Sequence, residues 1–119
     1  MSITAADLSN KHCVSCDGNT RPLSQADVQT LLAAIPEWKL AADARMIRRA
    51  WRVQDFPTAL DFFHRIGAIA EAEDHHPDLH LANYREVAVE LWTHAANGLT
   101  ENDFIMAAKI DQLPVELKK

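Results

Sequence analysis

Apolar positions recur at helical spacing in some stretches of this chain and at every second position in others. From about Gln25 to Ala34, Val28, Leu31, Leu32 and Ile35 fall on one side of a helix. Ser24 is suited to cap its start and Pro36 to stop it. A second helical pattern opens at Asp55-Phe56-Pro57, where Asp55 suits a cap and proline is tolerated in the first turn. Phe56, Leu60, Phe63, Ile66, Gly67 and Ala70 then share one face, and Thr58, Asp61, His64, Arg65 and Glu71 fall mostly opposite. This helix is predicted to end near Asp74, because Pro77 prevents continuation. A third begins at Thr100-Glu101-Asn102-Asp103, which has the form of a capping box, and runs through Phe104, Ile105, Ala108 and Ile110 to about Leu113.

Between these helices the period changes to two. Glu37–Leu40 and Met46–Val53 read as a hairpin whose more apolar face carries Ile47, Arg49, Trp51 and Val53. Leu79–Tyr84 makes a short strand, and Arg85–His94 is the clearest strand in the chain. Val87, Val89, Leu91 and Thr93 share one of its faces; Glu86, Ala88, Glu90, Trp92 and His94 share the other. The order helix, strand, strand, helix, strand, strand, helix predicts an α+β domain, an antiparallel sheet with helices on one face. Residues 1–22 show weak periodicity and are read as an N-terminal extension, partly ordered at best, preceding a domain over 23–119.

Composition narrows the function classes. With 119 residues, 48% of them hydrophobic, the chain can bury a core without disulfides or a structural metal. A formal net charge of −5 speaks against bulk attraction to nucleic acid. There is no apolar run of membrane-spanning length and no basic-then-apolar leader pattern, so the cytosol is the expected compartment. Cys13-Val-Ser-Cys16 has the spacing of a redox motif or of half a zinc site. No strand pattern precedes it, and only His12 lies beside it where a tetrahedral site needs about four ligands. The pair therefore reads as exposed and reduced in a loose arm, without consequence for activity; the alternative is a metal site completed by a distant histidine or a second subunit.

The stretch from Glu71 to His80 gathers Glu71, Glu73, Asp74 and Asp78 with His75, His76 and His80 at a predicted helix end. Acids are unfavourable at a helix C-terminus, and no Lys or Arg stands nearby to compensate. Only the histidines answer that charge, and only when protonated. Three readings compete: a polar surface turn, a metal site and general acid–base chemistry. The HExxH pattern of helical zinc sites is absent. Proton transfer near neutral pH suits imidazole. His94 favours the last reading: if its strand pairs with Leu79–Tyr84, its end returns toward His75-His76.

The spacing of Glu71, His75-His76-Pro77, Tyr84, His94 and Asp103 resembles the signature of the pterin-4a-carbinolamine dehydratases. The Cys-bearing extension is similar to one carried by some bacterial members. The resemblance implies a four-stranded antiparallel sheet with three helices on one side, assembled as homodimers or homotetramers. It implies loss of water from 4a-hydroxytetrahydropterin to give quinonoid dihydropterin, without metal or organic cofactor. That step recycles the pterin of aromatic amino-acid hydroxylases. His75, His76 and His94 would be the catalytic residues, with His76 and His94 at the 4a-hydroxyl. Glu71, Asp74 and Pro77 would be the substrate-binding ones, Glu71 alternatively anchoring the histidine turn. Asp103 reads as a helix-start residue, Tyr84 as packing or pocket wall, and Trp38, Trp51 and Trp92 as packing residues. His12, His64 and His80 are expected to be structural or exposed. Some animal members also bind a transcription factor as a dimerisation cofactor, so a non-catalytic binding or assembly protein is the alternative.

Overall fold

The strongest alternating segment becomes an inner strand of the sheet. The computed structural model describes residues 3–119. Its strands are β1 (Lys39–Leu40), β2 (Ile47–Arg52), β3 (Asp78–Ala82) and β4 (Glu86–Leu91), all antiparallel in the order β1-β2-β4-β3. The register sets Ile47 opposite Leu91, Arg49 opposite Val89 and Trp51 opposite Val87. This face is the expected apolar one, with Ile47, Trp51, Val87, Val89 and Leu91 buried. The other face carries a charged ladder, with Arg48–Glu90 at 3.5 Å and Arg52–Glu86 at 2.6 Å. Alternation thus separates a core face from a solvated one, as an antiparallel sheet covered on one side requires.

Helices α2 (Gln25–Leu32), α3 (Phe56–Glu73) and α4 (Glu101–Asp111) share a single core with the apolar sheet face. Ser24 and Asp55 cap α2 and α3 as expected, accepting from the amides of Asp27 at 3.2 Å and Thr58 at 2.9 Å. Trp38, Trp51 and Phe62 meet edge to face at the centre, their ring centroids 6.0 and 5.1 Å apart. Asp111 ties the end of α4 to this cluster, accepting from Trp38 Nε1 at 2.9 Å and Arg49 Nη1 at 2.7 Å.

The buried stripe of α3 differs from the expected one. Ala59, Phe62, Ile66 and Ala70 face the core, whereas Phe56 and Leu60 are exposed. Phe62 and Phe63 are adjacent, so spacing alone supports two overlapping stripes. Packing chooses Phe62 because its ring fits the edge of Trp51, with the small Ala59 one turn before it.

The N-terminal extension also differs from a loose arm. It forms α1 (Ala5–Ser9), capped by reciprocal bonds between Thr4 and Asp7 at 3.0 and 3.1 Å. Leu8 is 0% exposed within the main core. From α4, Lys109 Nζ donates to the Ser9 carbonyl at 2.8 Å, and Gln112 Nε2 to the Ser9 hydroxyl at 2.9 Å beyond its end. One buried leucine escapes a periodicity analysis that needs several. Leu8→Ala is expected to lower the unfolding free energy by about 2–4 kcal/mol. Urea denaturation checks this; an unchanged midpoint would mean that the segment contributes nothing to the fold.

Candidate active site

The end of α3 builds one side of the site. Asp74 adopts a left-handed conformation (φ 51°) that terminates the helix, and Pro77 follows before β3 begins. His75 and His76 are thereby turned out of the helix. The pairing that sets Asp78 opposite Glu90 brings the residues before β3 alongside those after β4. There the chain makes a 3₁₀ turn, His94–Ala96. A cavity of about 220 Å³ results, lined by Asp74, His75, His76, Trp92, His94 and Cys16 together with Thr93 and Ala95.

Each histidine of this cavity is held differently. His75 Nε2 lies 2.7 Å from Asp103 Oδ1, the imidazole 11% and the carboxylate 0% exposed. The other carboxylate oxygen accepts from the Thr93 hydroxyl at 2.8 Å and from the Thr100 amide at 3.0 Å. The Thr100 hydroxyl meets that of Thr93 at 2.8 Å. A buried carboxylate requires such a set of donors. Ionised Asp103 only accepts, so the His75 proton sits on Nε2 and Nδ1 is left as the basic nitrogen. Asp103 therefore starts α4, as read from the capping pattern, and also orients His75 from the opposite side of the site.

His76 is 58% exposed, and its Nε2 lies 2.5 Å from Glu71 Oε2, one turn back on α3. His94 is exposed and lies against Trp92, with ring centroids 3.9 Å apart at 35°. Trp92 is in turn steadied by a 3.4 Å bond from its Nε1 to Asp78.

Of the residues expected at the site, His75, His76, His94 and Asp74 come together around the cavity. Glu71 stands behind His76 and does not line it, and Pro77 is also outside the lining. Tyr84 lies apart, half exposed in the β3–β4 turn with the Arg85 guanidinium 4.7 Å over its ring. His80 pairs with Glu90 at 2.6 Å on the solvated sheet face. Sequence reasoning missed Trp92 and Cys16 as cavity residues. Trp92 was legible as a neighbour of His94 on the same strand face. Cys16 carried no local signal, because its place depends on how the extension docks. Among the described residues no three His, Cys, Asp or Glu side chains are grouped to hold a metal ion, and no helix is long and apolar enough to cross a membrane.

A one-sided antiparallel sheet with three imidazoles around a small open cleft defines a small α+β protein whose site is built for proton chemistry or ligand binding. Comparison with known proteins makes the assignment specific. Residues 21–113 match the family model described as pterin 4 alpha carbinolamine dehydratase, and the chain belongs to that family. It is 51% identical over 114 residues to "Pterin-4-alpha-carbinolamine dehydratase 2, mitochondrial" of Arabidopsis thaliana, covering 93% of this chain and 61% of that one. The chain thus spans less than two thirds of the plant relative's length. A putative pterin-4-alpha-carbinolamine dehydratase of Halorhodospira halophila is 46% identical over 106 residues, covering 89% of this chain and 96% of the relative. Among solved structures, the Brucella melitensis "transcriptional coactivator/pterin dehydratase" superposes with a TM-score of 0.72 at 35% identity, covering 76% of this chain and 96% of that one.

Proposed function

We propose that this protein is a hydro-lyase that removes water from 4a-hydroxytetrahydropterin by histidine acid–base catalysis. The observation that carries the proposal is the convergence of His75, His76 and His94 on one cavity, two of them backed by carboxylates. In the reaction the C4a–O bond breaks as the hydroxyl takes a proton and leaves as water. The N5–H bond gives up its proton, and its electron pair becomes the second bond of C4a=N5. One proton is supplied and one removed, so a set of imidazoles completes the cycle without net change.

His76 and His94 are assigned to the 4a-hydroxyl as its acid–base groups. His75 is assigned to N5, because Asp103 engages its Nε2 and leaves Nδ1 free to accept a proton. Trp92 offers a ring face beside the substrate, and Asp74 a polar contact at the rim. Glu71 anchors His76. The product suits a cycle in which pterin is oxidised by an aromatic amino-acid hydroxylase and then reduced again. The free thiols of Cys13 and Cys16 suit a reducing compartment such as the cytosol. The exposed Phe56 and Leu60 on α3 suit a homodimer or homotetramer.

The test follows the absorbance of enzymatically generated 4a-hydroxytetrahydropterin with and without the protein. Accelerated decay proportional to protein concentration is expected. A folded protein that leaves the decay unchanged would overturn the enzyme reading in favour of a non-catalytic binding or assembly role on the same fold.

A further inference from the structure

The family match begins at residue 21 and so assigns no role to the segment that carries the cysteines. That segment is nevertheless fastened to the site at two points. Glu73, the last residue of α3, accepts from the Cys13 amide at 2.7 Å and pairs with His12 Nδ1 at 2.9 Å. Its side chain is largely buried. Burial raises the Glu73 carboxyl, but the bonds from His12 and Cys13 and the charge of Lys109 outweigh it, leaving the group below its ordinary value. Asn102, buried at the start of α4, accepts from the Val14 amide at 3.0 Å. It donates to the Val14 carbonyl at 2.7 Å and to Cys16 Sγ at 3.3 Å. These clamps stand immediately before Asp74-His75-His76 and immediately before Asp103. The helix ends that position His75 are therefore the same ones that hold the segment, which brings Cys16 into the cavity wall with Trp92 and His94.

We infer that Cys16, held by the clamped segment, is part of the substrate-facing wall of the pterin pocket and is a contact residue governing affinity for the ring. The inference rests on the pterin reading of the site. Cys16 Sγ receives the Asn102 amide, and its thiol points to the Val14 carbonyl at 3.7 Å. Held this way, the sulfur presents a polarisable edge to a flat heteroaromatic ring, a contact that sulfur makes well. Cys13 serves a different purpose. It packs against the core, its thiol directed at the Asn102 carbonyl at 3.7 Å. Burial, helped by the charges of Glu73 and Asp103, pushes the Cys13 thiol up to about 12. A thiol that stays protonated is a poor nucleophile, so the two cysteines are chemically distinguishable.

The experiment alkylates the whole protein with iodoacetamide, with and without saturating biopterin, and maps the label by mass spectrometry. Binding of biopterin is followed separately through tryptophan fluorescence. Cys16 is expected to label well before Cys13, and bound biopterin to slow its labelling by about tenfold or more. In the dehydration assay Cys16→Ala is expected to raise KM roughly threefold to tenfold with kcat nearly unchanged, as removal of a uniform binding contact does. Biopterin that binds but leaves Cys16 labelling at its free rate overturns the wall while sparing the pterin reading. Biopterin that does not bind at all overturns both.

Discussion

His94→Ala is expected to slow dehydration of 4a-hydroxytetrahydropterin by about 10²–10⁴-fold, the range for loss of one positioned acid–base group. The fold should be preserved. The His94 ring is exposed and rests on Trp92 at the surface, so its removal opens no core cavity and strands no buried polar group. Its contribution lies in the site, where it is the only one of the cavity's histidines supplied from beyond β4. His76→Ala, on the other side of the cavity, is expected to fall in the same direction. The double variant should be indistinguishable from the uncatalysed decay. The check is a turnover measurement beside a urea denaturation curve. A His94→Ala protein that keeps activity within about threefold of wild type would remove this residue from the mechanism.

Asp103 offers a second large effect, in which fold and chemistry are joined at one carboxylate. Its oxygens take His75 Nε2, the Thr93 hydroxyl and the Thr100 amide, all in the interior. Asp103→Ala leaves these groups without their acceptor. At about 1–3 kcal/mol for each buried unsatisfied group, a loss of about 3 kcal/mol or more is expected. Asp103→Asn separates the two roles. An amide oxygen can still accept from Thr93 and Thr100, so much of the stability should return. The amide nitrogen, however, would face His75 Nε2 as a donor. The ring would answer with Nε2 unprotonated and its proton on Nδ1, the reverse of the arrangement described above. Turnover is therefore expected to fall about 10²-fold or more even where the urea midpoint is nearly restored. An Asn variant that recovers stability and activity together would show that Asp103 only starts the helix.

Much of this was readable locally. The caps at Ser24, Asp55 and Thr100 and the stops at Pro36 and Pro77 are short-range signals, and the helices begin and end close to where these residues place them. The alternation in Arg85–His94 separated the buried row Val87, Val89, Leu91 from the solvated row containing Glu86 and Glu90. It also set His94 away from the aliphatic row, which made it a candidate for the site. The return of His94 toward His75-His76 followed from hairpin pairing, since adjacent antiparallel strands bring their outer ends together.

What the sequence by itself determined is the order and type of the main elements, the inward face of the strands and the family to which the histidine pattern belongs. Each depends on residues near one another in the chain, or on fixed spacings along it. The tertiary structure alone decided that α3 buries Phe62 and exposes Leu60, because two stripes were equally periodic and only the fit against Trp51 separates them. It decided that Leu8 joins the core and that Cys16 reaches the cavity, since both depend on how a short segment docks on α4. It also decided that Asp103 holds His75. A cap is written in neighbouring residues, but a bond from the start of one helix to the end of another exists only once sheet and helices have packed.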